Sequence, residues 1–220
     1  VLLVALAGCR PSPSLQLGLP LDCEPGRTCF VQNYVDHDPG PEAVDHACRR
    51  RTYDGHDGTD LRVPDLPAME AGVDVLAPAR AGRVRLRGRE LDPFAVDALP
   101  GACGGSPTLW APEVAAALAG PPSAVLNVGF AAGEVTSDDV ERGRVPPPTA
   151  GGGAIVAFAR AMSLEAGDAL TLALLDPDGR VAASNTEPSL PRAKAVYLLV
   201  SGVRSRGAGR APGPGASATR

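Results

Sequence analysis

The sequence predicts a mostly β fold in two successive parts, an incomplete antiparallel sheet followed by a small β-sandwich-like unit. Residues 73–77 and 83–87 alternate apolar and polar side chains about Pro78 and Gly82, the pattern of an antiparallel hairpin with one buried face. After Ser123 come apolar, strand-like runs at 124–130, 154–158, 170–175, 181–184 and 195–200, separated by turn signals such as Asp176-Pro177-Asp178-Gly179. Helical patterns are confined to short segments, the clearest at 64–71 and 112–118.

The opening run Val1-Leu2-Leu3-Val4-Ala5-Leu6-Ala7-Gly8-Cys9 is apolar but too short to span a bilayer, and it reads as the tail of a signal peptide. Leu6-Ala7-Gly8-Cys9 also resembles a lipobox, in which a lipid on Cys9 would attach the chain to a membrane; an ordinary signal peptide with a chance Cys fits equally well. Both readings place the mature chain outside the cytoplasm. Residues 10–20, with Pro, Ser and Leu, read as a linker. Setting Cys9 aside, Cys23, Cys29, Cys48 and Cys103 allow three pairings in an oxidising compartment. Cys23 with Cys29 is the favoured pair, because the Pro25-Gly26 turn between them brings the thiols together. Cys48 with Cys103 follows by elimination. No two cysteines have C-x-x-C spacing, which argues against a cysteine zinc site.

Residues 30–35 read as a strand, and residues 36–60 as a polar loop that holds all 3 histidines, His37, His46 and His56. So much His and Asp in one long loop is more easily explained as a site than as a connection. The segment at 64–71 ends at Gly72, and that at 112–118 starts with Pro and stops at Gly120. Thr136 and Asp139 have capping-box spacing. Residues 204–220 are almost all Arg, Gly, Ala, Pro and Ser and are expected to be disordered, as a change of reading frame would leave them. A net charge of −4 from 21 basic and 25 acidic residues, spread along the chain, leaves no footprint for nucleic acid.

The sharpest cluster is Tyr53-Asp54-Gly55-His56-Asp57-Gly58-Thr59-Asp60, which sets an imidazole and a carboxylate four residues apart between glycines. Both are zinc-ligand types, but this octapeptide by itself reads more often as a solvated Gly-rich turn. Its surroundings shift the balance. The motif His56-x-x-x-Asp60, the short helical segment after it, and Val75, Ala77, Gly82 and Val84 at Val-x-Ala-x-x-x-x-Gly-x-Val spacing together resemble the lysostaphin (LytM-like) zinc peptidases. The stretch from Cys29 to Asp36, with Asp38-Pro39-Gly40-Pro41, resembles the leading segment of exported Gram-negative members. The resemblance covers roughly residues 21–88.

That resemblance implies a peptidoglycan endopeptidase of the periplasm or cell envelope of a Gram-negative bacterium, with His56 and Asp60 as two of three protein ligands to Zn²⁺. The family's third ligand comes from a later His-x-His pair, and no histidine follows His56 here. The middle strands of the catalytic sheet are expected to be missing between Glu90 and Leu91, because Leu91-Asp92-Pro93-Phe94 resembles the segment after the last core strand. Zinc should then be weakly held or lost and activity impaired, with no residue assigned a catalytic role. Recruitment of His37 or His46 as third ligand is the lesser alternative to ordinary loop histidines. The division expected is 1–20 leader remnant and linker, 21–100 truncated peptidase-like domain, 101–122 linker with a short helix, 123–203 β-rich unit and 204–220 tail. Two other readings stand beside the enzyme: a non-catalytic envelope protein that binds peptidoglycan or regulates a hydrolase, and a functionless gene remnant. Ser163, Ser184 and Ser201 lack a neighbouring histidine base, Trp110 reads as core, and the glycines form no phosphate-binding fingerprint.

Overall fold

A computed structural model of the chain describes residues 15–77, 85–86, 89–96, 101–104, 107–119, 123–204 and 216–219, with the backbone alone for 85–86, 89–90 and 216–219. The leader run, with Cys9, lies outside the described residues. The fold is mostly β and its strand pairing is antiparallel. No described helix is long and apolar enough to cross a membrane.

Strand β1 (Phe30–Asn33) pairs with β2 (Asp60–Arg62), with Phe30 opposite Arg62 and Asn33 opposite Asp60. Helix α1 (Leu66–Glu70) starts where the Asp65 carboxylate accepts a 2.8 Å hydrogen bond from the Ala68 amide. It stops at Gly72, whose φ of +96° suits a residue without Cβ.

The expected hairpin of residues 73–77 with 83–87 is corrected. Val75 instead bridges Leu21, supported by Asp22 N–H donating to Asp74 O and Leu76 N–H donating to Pro20 O. Beyond it, β3 (Arg85–Leu86) pairs with β4 (Arg89–Glu90), while residues 78–84 lie outside those described. Val75 is 82% exposed, so its alternating pattern finds no layer to bury against among the described residues. Periodicity states which face wants burial, but only a neighbouring strand can supply it.

The flanks of this segment pack together. Leu17, Val31, Tyr34, Trp110 and Leu118 form one core, with Leu61 and Phe94 against it. Residues 15–20 and 107–119, expected as linkers, therefore belong to the N-terminal body. Leu17 N–H donates to Leu109 O, and Leu17 O accepts from Ala111. Helix α2 (Pro112–Leu118) contributes Leu118, whose carbonyl accepts the Tyr34 hydroxyl proton. Both expected disulfides are present, Cys23–Cys29 and Cys48–Cys103.

The C-terminal unit consists of two three-stranded sheets. One orders β5 (Ala124–Ala131), β6 (Ala154–Leu164) and β9 (Lys194–Arg204) with β6 central. The other orders β10 (Ala216–Thr219), β7 (Leu170–Leu175) and β8 (Val181–Glu187) with β7 central. The pairing of β10 with β7 corrects the expectation of disorder throughout 204–220.

Successive β6 side chains point to opposite faces, and both faces are covered. Ala157, Ala159 and Ala161 join Leu170, Leu172, Leu174 and Leu199 in the core between the sheets. On the other face, Phe158 packs with Val140 of α3 (Ser137–Glu141), and Met162 packs with Phe30 of β1 and Leu126. Ser163, at φ +53° and skipped in the pairing with β9, shifts the phase so that Leu164 rejoins the inter-sheet core. The capping box expected at Thr136 and Asp139 starts α3.

Polar contacts join the two bodies. The Arg160 side chain is 1% exposed; its guanidinium pairs with Glu141 and donates to Pro64 O and Asn127 Oδ1. Arg62 pairs with Glu141 at 3.0 Å, and Asn127 donates to Asp65 Oδ2 at 2.6 Å. An arginine inside the apolar run Ala154-Ile155-Val156-Ala157-Phe158-Ala159-Arg160 was the readable sign of this junction.

Candidate metal centre

Gly55, at φ +74°, turns the chain so that His56 N–H donates to Tyr53 O, and four residues later Asp60 opens β2 opposite Asn33. Asp36 ties this turn to the start of the long loop. Its Oδ2 accepts from Gly55 N–H, its Oδ1 accepts from Asp38 and Val44, and its own N–H donates to His56 O. Burial pushes the Asp36 carboxyl up, but the amides of Val44, Asp38 and Gly55 outweigh it and hold the group below the usual carboxylate range.

The two residues singled out in the sequence meet. His56 Nε2 lies 3.3 Å from Asp60 Oδ2; the imidazole is 8% exposed and the carboxylate 46%. No hydrogen bond joins them, and Nε2 is a buried polar atom without a hydrogen-bond partner among the described residues. Asn33 Nδ2 holds the same Asp60 oxygen at 2.8 Å, and the Tyr53 ring lies over the imidazole with centroids 4.4 Å apart. Two ligand atoms on a tetrahedral zinc, each bonded at about 2.0–2.2 Å, sit roughly 3.3–3.5 Å apart. The His56 and Asp60 atoms fit one edge of such a tetrahedron.

The remaining histidines turn elsewhere. His37 Nε2 makes a 2.8 Å contact with Asp92 Oδ2, both side chains being buried, and Asp92 Oδ1 accepts from Phe94 N–H. His46 stacks on Phe94 at 4.7 Å and meets Tyr34 edge-on at 4.8 Å. Burial holds the His46 imidazole below its ordinary pKa, against the pull of Asp92 and Asp45. Among the described residues, no group of three or more His, Cys, Asp or Glu side chains is placed to share a metal ion.

The sequence pointed to His56 and Asp60 but not to the residues that hold them. Asp36 and Asn33 act from 20 and 27 positions away, and their only signal was a pair of polar residues at and just beyond the C-terminal end of β1. Tyr53 was visible as the first residue of the octapeptide. Asp92 and Phe94, from the segment expected to follow a deletion, seat directly on His37 and His46 of the loop before it. Trp110 is core, as expected. No family model, no curated protein and no solved structure matches the chain.

Proposed function

We propose that the chain is an exported, truncated form of a lysostaphin-type zinc endopeptidase, with peptidoglycan as its partner, which keeps the first metal pair and has lost effective catalysis. The observation that carries this reading is the 3.3 Å approach of His56 Nε2 to Asp60 Oδ2, with the imidazole nitrogen sheltered and without a hydrogen-bond partner among the described residues. Zinc in such a site, when bound, supplies polarisation of a water molecule and of the scissile carbonyl. Asn33 orients the Asp60 carboxylate, and the Tyr53 ring together with the Gly55 turn fixes the imidazole plane. No described imidazole stands ready to move a proton beside this pair, because His37 is bound to Asp92 and His46 is stacked on Phe94. Two disulfides support the extracytoplasmic part of the reading.

The test is zinc titration of the whole oxidised chain by calorimetry, alongside release of soluble fragments from purified sacculi. The expected result is one weak zinc site, weakened at least about tenfold in His56→Ala, as second-shell losses alone reach that size, with no fragment release. Zinc binding unchanged by His56→Ala and Asp60→Asn would sink the metal pair; rapid release of fragments would sink the claim of lost catalysis.

A second reading, a non-catalytic envelope protein that binds peptidoglycan or regulates a hydrolase, is favoured by the Asn33 hydrogen bond that satisfies Asp60 without any metal. Sacculus binding that persists in chelator supports it. Absence of sacculus binding removes it.

A further inference from the structure

We propose that the groove between the loop of residues 48–52 and the adjoining ends of β6 and β9 binds a short acidic peptide through its carboxylates. This goes beyond the metal-pair reading and stands whether or not His56 and Asp60 take zinc. The groove encloses about 710 Å³, with Asn33 of β1 on one wall and Ser163 to Ala166 and Pro191 to Ala195 on the other.

Charge is the first argument. The described lining carries Arg49, Arg50, Arg51, Arg192 and Lys194 against the single acid Glu165, on a chain whose net charge is −4. Not all these cations are available. Arg50 pairs with Glu42, and Arg51 donates to Val31 O and lies over the Tyr34 ring. Arg192 is exposed and pairs with no acid among the described residues. Among the described residues, the Lys194 ammonium has only the Tyr197 ring, 5.9 Å away. Arg49 faces Asp45 at 3.8 Å without a hydrogen bond from Nε, and remains 34% exposed. Arg192 and Lys194 on one wall thus stand ready for carboxylates on a ligand, facing Arg49, which is shared with the buried Asp45, on the other.

The neutral lining decides the class of ligand. Gln32, Asn33, Thr52 and Ser163 offer amide and hydroxyl groups suited to a peptide backbone. No aromatic side chain lines the groove among the described residues, so neither stacked bases nor a sugar face would find a platform there. Backbone strain marks the same place. Cys48 (φ +61°) and Ser163 (φ +53°) are the non-glycine residues with left-handed φ among those described, and both line this groove. Cys48, stapled to Cys103, precedes the three arginines and Ser163 precedes Glu165, so each strained residue sets the course of one wall.

The test is fluorescence anisotropy on the whole oxidised chain, in chelator, with dye-labelled Gly-Glu-Ala-Glu. Comparison ligands are its amidated Gly-Gln-Ala-Gln analogue and a short labelled thymidine oligonucleotide. The acidic peptide should bind, and the neutral analogue should bind about tenfold more weakly. The double variant Arg192→Glu, Lys194→Glu should lower acidic-peptide affinity by about tenfold or more, the loss of two exposed ion pairs plus repulsion. Its two positions are at the surface, and an unchanged circular dichroism spectrum establishes that it folds. Equal binding of the two peptides, no effect of the charge reversal, or tighter binding of the oligonucleotide would each overturn the proposal. Because chelator is present throughout, failure here leaves the zinc reading untouched, and failure to bind zinc leaves this one untouched.

Discussion

The N-terminal body and the C-terminal sandwich solve the same problem by different means. In the sandwich, the 11-residue strands β6 and β9 close their backbone hydrogen bonds in a long ladder, and alternating Ala and Leu bury one face without further help. The described strands of the N-terminal body have four residues or fewer. Its backbone is satisfied by carboxylates instead: Asp36, Asp45 and Asp92 each accept amide protons from their own loops. Two disulfides and the stack of Tyr34, His46, Phe94 and Trp110 supply the cohesion that a sheet would otherwise give. A region short of strands stays folded by cross-linking and local polar closure, and that same chemistry gathers the histidines and acids from which a site can be made.

Removing a staple should break this contrast most. The Cys48–Cys103 bridge spans 55 residues, and by loop entropy its loss in Cys48→Ser, Cys103→Ser costs about 4 kcal/mol. Urea unfolding followed by fluorescence of Trp110, the 1 tryptophan of the chain, should show the N-terminal body unfolding first while far-ultraviolet dichroism keeps its sheet signal. Coincident loss of both signals would mean that the two bodies share one fate.

Cutting the junction comes next. Arg160→Ala removes a buried cation with contacts to Glu141, Pro64 O and Asn127, while Arg62 still pairs with Glu141. The expected cost is about 2–3 kcal/mol, mostly lost charged hydrogen bonds and packing of the arginine stem. The fluorescence and dichroism transitions should move apart. Arg160→Met, which keeps the stem, should restore part of the loss.

Thr136→Ala tests the start of α3, at the end away from the Glu141 that meets Arg62. It removes a capping box at the exposed start of α3 and should cost about 1 kcal/mol in the dichroism transition, with the Trp110 transition unmoved.

The smallest effect is a pH slope confined to the N-terminal body. Burial, helped by Arg49 and His37 and opposed by Asp92 and Asp45, holds His46 below its unfolded pKa. The unfolded chain therefore takes up the proton first, so the stabilising contribution is complete above about pH 6.5 and is lost as pH falls through the folded value. His46→Phe keeps the stack on Phe94 and should flatten the stability profile of the Trp110 transition between neutral and mildly acid pH. An unchanged slope would place the titration elsewhere.

Much of the sandwich was legible because local pattern and tertiary demand agree there. The runs at 124–130, 154–158, 170–175, 181–184 and 195–200 all became strands, and Asp176-Pro177-Asp178-Gly179 became the turn between β7 and β8. The segment at 73–77 misled for the opposite reason, since its alternation asks for a covering layer that the described residues do not provide. His56 and Asp60 were legible as a pair because a Gly-bounded turn and the start of a strand are both local events.

From the sequence alone came the mostly β class, the Cys23–Cys29 staple, the Gly72 stop of α1, the capping box of α3, and the His56-x-x-x-Asp60 spacing. Each depends on residues within a few positions of one another, where backbone geometry leaves few choices. Tertiary structure decided that Asn33 steadies Asp60, that Asp92 and Phe94 occupy His37 and His46, that Arg160 bolts the bodies together, and that arginines from one loop face Lys194 across a groove. Those pairings join positions 19 to 145 residues apart, and only the three-dimensional packing of apolar faces determines which distant charges end up as neighbours.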